Sequence, residues 1–281
     1  MGLFSGLDKL GLGNMSNMDV FEAEEKEKKE TEEKTVHTLT EEEVLYDKSY
    51  KCPVCEHEFK SKSIRTGKVK LLSVDTDLRP KYQTTDCIKY DCVVCEKCGY
   101  AALTRYFTTI TSSQAKLISQ NITPSFKGID SDAATYSYEE AVLRYQLALA
   151  NAVVKKAKVS ERAYICLKLA WLLRGMSENL SESDSDYMEK KEELEKQEQQ
   201  FISNAYEGFK NAVSKEMFPI CGMDEYTFIY VTADLARRCK DYQTSLRFVS
   251  EIITSRTASS KVKDRARELK ELIKQETQSG V

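Results

Sequence analysis

Two short runs constrain this chain more than anything else in it. Residues 52–55 read Cys-Pro-Val-Cys, and residues 95–98 read Cys-Glu-Lys-Cys with Gly99 following. A C-x-x-C turn can present both sulfurs to one ion. Pro53 pre-sets the first turn, and Gly99 can take the left-handed backbone geometry that such a turn needs. Two turns supply four thiolates, Cys52, Cys55, Cys95 and Cys98. That is a closed tetrahedral set suited to a structural Zn2+ ion. The 39 residues from Glu56 to Val94 exceed what a compact ribbon needs, but two strands and a loop fill them. Redox use of C-x-x-C wants a helix N-terminus to depress a thiol pKa. These pairs lie beside predicted strands and duplicate each other, which favours metal. A catalytic zinc keeps one position open, and four thiolates leave none.

Other ligands stay open. Cys92 and Cys95 make a third, overlapping C-x-x-C, but Gly99 favours Cys95 with Cys98 and puts Cys92 on a strand face as core. Cys87 falls in a loop before that strand as a free thiol. His57 follows Cys55 by two and reads as solvent-facing or as a partner to the ligands rather than a ligand. Glu56 stands where glycine often follows such a pair, so the first knuckle is less regular. Val69, Leu71 and Ser73, and then Ile88, Tyr90, Cys92 and Val94, alternate as short strands do.

Charge divides the 281 residues. Residues 1–47 carry 5 basic and 13 acidic residues, net −8; residues 48–110 carry 12 and 7, net +5; residues 111–281 carry 25 of each. The expected organisation is a flexible acidic arm (1–47), a zinc-ribbon-like module (48–110), a connecting helix and loop (111–136), a helical domain (137–276) and a tail (277–281). No stretch approaches the roughly twenty apolar residues of a membrane span. The start lacks the basic and apolar regions of a secretory signal. A cytoplasmic location is expected, where nine cysteines are reduced thiols rather than a disulfide framework. Leu3, Phe4, Leu7, Leu10 and Leu12 at helical spacing read either as a frayed terminus or as a short amphipathic stripe that docks on a partner or a membrane. Residues 1–20 hold too few cations to draw strongly on anionic lipid, so the membrane is the weaker choice.

Beyond Tyr100 the text is helical. Thr111 with Gln114 and Ser137 with Glu140 are capping boxes. Ser160 and Asp224 are candidate caps, Asp241 or Tyr242 begins a further helix, Ser259 or Ser260 opens the last, and Tyr187–Lys215 reads as one long helix. Ala141, Tyr145 and Ala148 recur as Ala205, Phe209 and Ala212, and more loosely as Ser245, Val249 and Ile252. A small, a large and a small residue on one face let a second helix pack closely. The pattern resembles the tetratricopeptide repeat, with copies 64 and 40 residues apart instead of an even 34. The fold expected is mainly α with a small β module, the ribbon followed by antiparallel helical hairpins of tetratricopeptide type.

Asp75 and Asp77 share one side of an extended run. They could serve a hydrolase with a second metal, or simply salt-bridge Arg65, Arg79 or Lys68. No Gly-rich phosphate loop or Ser/His/Asp order accompanies them. The basic module suggests nucleic-acid contact through Lys68, Lys70, Arg79 and Lys81. A four-thiolate zinc centre carries −2, however, and lowers the module's +5 to about +3.

The start MGLFSGL with DVFE, then YKCPVCEHEF, VDTDLRPKY and KYDCVVCEKCGYAAL, together resemble an uncharacterised bacterial family, domain of unknown function 2225. AWLLRG and YEGFKNA follow in the helices. The resemblance implies a zinc-ribbon-like module with Cys52, Cys55, Cys95 and Cys98 as ligands, fused to tetratricopeptide-like helices. It implies no activity. The function expected is a non-enzymatic adaptor that binds a protein through residues 137–276. Nucleic-acid binding through residues 48–110 is the alternative, and the Asp75–Asp77 hydrolase the third reading. Sequence leaves the oligomeric state open.

Overall fold

A computed structural model describes residues 39–129 and 133–278. The leucine stripe and most of the acidic arm lie outside them. Three antiparallel hairpins come first: β1 (Leu45–Lys51) with β2 (Glu58–Ile64), β3 (Leu71–Val74) with β4 (Pro80–Tyr82), and β5 (Cys92–Val94) with β6 (Ala101–Leu103). Each hairpin turn carries one of the motifs. The first cysteine pair joins β1 to β2, the Asp75–Arg79 run joins β3 to β4, and the second cysteine pair joins β5 to β6.

Seven α-helices follow among the described residues: α1 (Ser112–Asn121), α2 (Tyr138–Val154), α3 (Val159–Glu178), α4 (Tyr187–Lys215), α5 (Glu225–Arg238), α6 (Tyr242–Thr254) and α7 (Ser260–Gln278). The mainly helical fold with a small cysteine-rich β module is therefore present. Both capping boxes form, and Asp224 and Asp241 cap α5 and α6 through the N–H of Thr227 and Thr244. Ser160 does not cap α3. That helix begins one residue earlier, and Ser160 gives both its N–H and its hydroxyl to the Glu216 carboxylate. Ile88 and Tyr90 also depart from expectation. They lie in a 3-10 turn, Cys87–Tyr90, whose entry Asp86 caps through the Ile88 N–H.

The β5–β6 hairpin is buried on both faces. Cys92, Val94, Ala101 and Leu103 join the helical core with Ala141, Tyr145 and Ala148 of α2. Val93 and Ala102 face a smaller core with Phe59, Tyr100, Phe107 and Ile118 beneath the cysteines. Each large apolar side chain so buried contributes about 1.5–3 kcal/mol. The residue ranges 48–110 and 137–276 thus share one core, and from Thr40 onward the chain forms one compact unit. All nine residues of the three triplets are buried, and consecutive helices from α2 to α7 pack in turn. Gly208 of α4 lies so close to α3 that a Cβ there would meet the Ala163 methyl at 2.4 Å. None of the described helices is long and apolar enough to cross a membrane.

Candidate metal centre

The two cysteine turns are built on one hydrogen-bond plan. The Cys52 N–H donates to the His57 carbonyl at 2.8 Å, and the Glu56 N–H returns to the Cys52 carbonyl at 2.9 Å. Cys95 and Tyr100 repeat the first bond at 2.8 Å, and Gly99 and Cys95 repeat the second at 3.0 Å. Each plan ends in a positive φ, +61° at Glu56 and +74° at Gly99. Backbone N–H groups turn inward as a result. Those of Val54 and Cys55 point at Cys52 Sγ, those of Lys97 and Cys98 at Cys95 Sγ, and that of Tyr100 at Cys98 Sγ.

The plan gathers the predicted sulfurs of Cys52, Cys55, Cys95 and Cys98 within 4.8 Å of one another. Cys52 and Cys98 lie 3.6 Å apart, as do Cys55 and Cys95. A disulfide needs about 2.0 Å. Sulfurs at the corners of a tetrahedron with metal–sulfur bonds of about 2.3 Å stand about 3.8 Å apart, so the spacing is that of a metal site. All nine cysteines are free thiols. Cys52, Cys95 and Cys98 are almost wholly buried, and Cys55 is half-buried. Protons alone divide unevenly over such a cluster. Cys95 accepts from Cys52 and Cys98 and is held well below the ordinary thiol range. Donation to Cys95 pushes Cys52 up, and donation to Cys52 and Cys95 pushes Cys98 far up. A divalent cation removes that competition by taking the place of the shared protons.

That geometry coincides with a sequence match. A family of uncharacterized proteins conserved in bacteria, DUF2225, matches residues 45–273. The chain belongs to that family. No curated protein and no solved structure matches the chain. Among the described residues, the four cysteines are also the one cluster arranged to hold a metal ion.

The other sulfurs and the histidine stand apart from this DUF2225 centre. Cys92 is core, its thiol donating to the Arg144 carbonyl at 3.3 Å. Cys87 turns to the Thr85 carbonyl, and burial pushes its thiol up to about 12. His57 stacks on Phe59 and pairs its Nε2 with Glu96 Oε1 at 3.2 Å, tying the outer edge of one cysteine turn to the other.

The Asp75–Asp77 pair holds arginines. Arg174 on α3 donates to Asp77 at 2.7 Å and to Asp75 at 3.0 Å, and also pairs with Glu198 on α4. Asp77 is fully buried. Burial would raise its carboxyl, but Arg174 and Arg238 outweigh it and hold the group below its ordinary value. The expected partners Arg65 and Lys68 are not used. Arg65 donates to the Leu45 carbonyl, and Lys68 is exposed. Both carboxylates are thus engaged by guanidinium groups.

The four basic candidates separate in the same way. Lys68 and Lys70 lie on the surface. Arg79 is 3% exposed and pairs with Asp75 and Glu178, so it cannot meet a phosphate. Lys81 pairs with the same two acids. Arg174, Glu178 and Arg238 were missed because they lie about a hundred residues or more along the chain, on helices where a charged residue gives no local sign of its partner.

Proposed function

We propose that this chain is a non-enzymatic cytoplasmic adaptor in which zinc orders the N-terminal module and the helices bind a protein partner. The observation that carries the reading is the closure of the cysteine centre. Four thiolates with inward-pointing amides fill a tetrahedral coordination sphere, which supports a structural rather than a catalytic ion. Soft sulfur donors in that geometry favour zinc. The helical body supports the second half. Its small-large-small triplets pack consecutive helices as a tetratricopeptide-like array would, and such arrays present extended binding surfaces. On the outer side of α2, Leu143 and Val153 are more than half exposed, with the exposed Ala150 between them. Apolar side chains aligned on one helical face suit a protein contact.

The test has two readouts. Elemental analysis of purified protein should give about one zinc per chain, lost on Cys95→Ser. Affinity capture from the native cell, split into nuclease-treated and untreated halves, should return the same proteins from both. Leu143→Asp with Val153→Asp should abolish that capture while zinc content and helicity stay unchanged. Partners that vanish with nuclease, or that survive the paired substitution, would reject the adaptor reading.

A further inference from the structure

A cleft of about 400 Å3 opens where all three hairpins meet α3. Its size falls in the range of about 300–1,000 Å3 typical of small-molecule sites, which favour such junctions between structural units. Tyr46 of β1, Tyr82 of β4 and Tyr90 of the 3-10 turn line it with aromatic surface. Two lysines and one aspartate supply its charge: Lys48, Lys168 and Asp91. Lys168 is buried on α3 and donates to Asp91 at 2.7 Å, leaving the lining net positive by one.

The β1–β2 register explains the arrangement. Tyr46, Lys48 and Tyr50 share one face with their partners Ser63, Ser61 and Phe59. At the far end of that face, Tyr50 and Phe59 pack over the cysteine core. At the near end, Tyr46 and Ser63 open into the cleft. On the rim, Val69 lines the cleft between the exposed Lys68 and Lys70.

We propose that this cleft binds a nucleotide, its base against the tyrosine rings and its phosphate at Lys48. Aromatic walls accept any base, because every base presents a π-face. A lysine ammonium meets phosphate as a point charge. Asp91 offers a carboxylate to an exocyclic amine, a group that phosphate or sugar alone does not have. The proposal is independent of the helical protein contact. Free mononucleotides and a nucleotide within a single strand share this chemistry, and Lys68 and Lys70 are placed to meet the neighbouring phosphates of a strand.

The test is calorimetric titration of the full-length zinc-loaded protein with each of the four ribonucleoside 5′-monophosphates. Fluorescence of Trp171, whose ring lies 5.8 Å from the Lys168 ammonium, provides a second signal. At least one nucleotide should bind saturably with Kd below about 1 mM. Lys48→Ala and Tyr46→Ala should each weaken it about tenfold, and Leu143→Asp should leave it unchanged. Ribose 5-phosphate binding as tightly as the nucleotide would overturn the proposal. So would the absence of saturable binding by all four, or unchanged affinity in both cleft variants. A hexanucleotide that binds more tightly, with a steep salt dependence lost on replacing Lys68 and Lys70, assigns the site to a strand. Equal or weaker binding assigns it to the free nucleotide.

Discussion

The two cysteine turns follow one backbone plan but are held in place differently. The second is embedded. Asn151 of α2 donates to the Gly99 carbonyl at 2.9 Å, Thr123 donates to the Cys98 carbonyl at 3.0 Å, and the strands on either side are buried on both faces. The first hangs from β1 and β2, where β1 buries only Leu45 fully, and its Cys55 is the one ligand open to solvent. A metal held by the four cysteines would therefore do unequal work, fastening a loosely held hairpin to one that the helices hold.

Removing a ligand should break that asymmetry most. Cys52→Ser and Cys95→Ser should both lose the metal. In the Cys52 variant, hydrogen exchange should quicken across residues 45–64 while α2 to α7 stay protected, because Val94, Ala101 and Leu103 remain in the helical core. In the Cys95 variant the loss should spread into β5, β6 and α2. Identical exchange maps for the two would refute the unequal anchoring.

Next in size is Gly99→Ala. Its φ is +74°, and an added Cβ would fall 2.6 Å from Phe126 Cγ. Left-handed strain of about 1–2 kcal/mol and overpacking of about 1–3 kcal/mol both oppose it. Urea unfolding should show at least about 2 kcal/mol lost. Glu56→Gly is the mirror experiment on the open turn. There φ is +61° with a side chain present, so glycine relieves strain and should raise stability by about 0.5–1 kcal/mol in the same assay. A loss would mean that the Glu56 side chain has a role of its own. The smallest effect belongs to His57→Ala. The His57–Glu96 pair is about one-third exposed, and such pairs are worth at most about 1 kcal/mol. The midpoint should barely move, and metal content should not change.

What could be read from sequence follows the range of the interactions. The cysteine turns and the caps are decided within a few residues; four of the candidate caps formed as expected, and the first cysteine turn is as regular as the second although Glu56 stands where glycine was expected. The β1–β2 hairpin was not foreseen, because β1 exposes most of its residues and so lacks the apolar alternation that marks a strand. Ser160 looked like a cap until Glu216, 56 residues away, claimed it. Arg79 pairs with Asp75, as one of the two readings of it expected, but its second partner Glu178, 99 residues distant, gave no local sign, so it also passed for a surface cation. The boundary suggested by charge between residues 110 and 137 reflects surface composition, whereas the core crosses it through β5, β6 and α2.

The Asp75–Arg79 turn has a consequence for the order of assembly. Its partners Arg174, Asp234 and Arg238 are synthesised long after it. Cys98 precedes Arg238 by 140 residues, an interval of roughly 7–28 s at translation rates of about 5–20 residues per second. All four cysteines are complete before that wait begins, so the metal can close its site while β3 and β4 have nothing to dock against. The expectation is that the cysteine centre matures first and the acidic turn latches last. In chains arrested on the ribosome after α2 has emerged but before α5 is made, with metal present, amides of residues 45–64 should be protected and those of residues 71–82 should not, and equal protection of both would refute it.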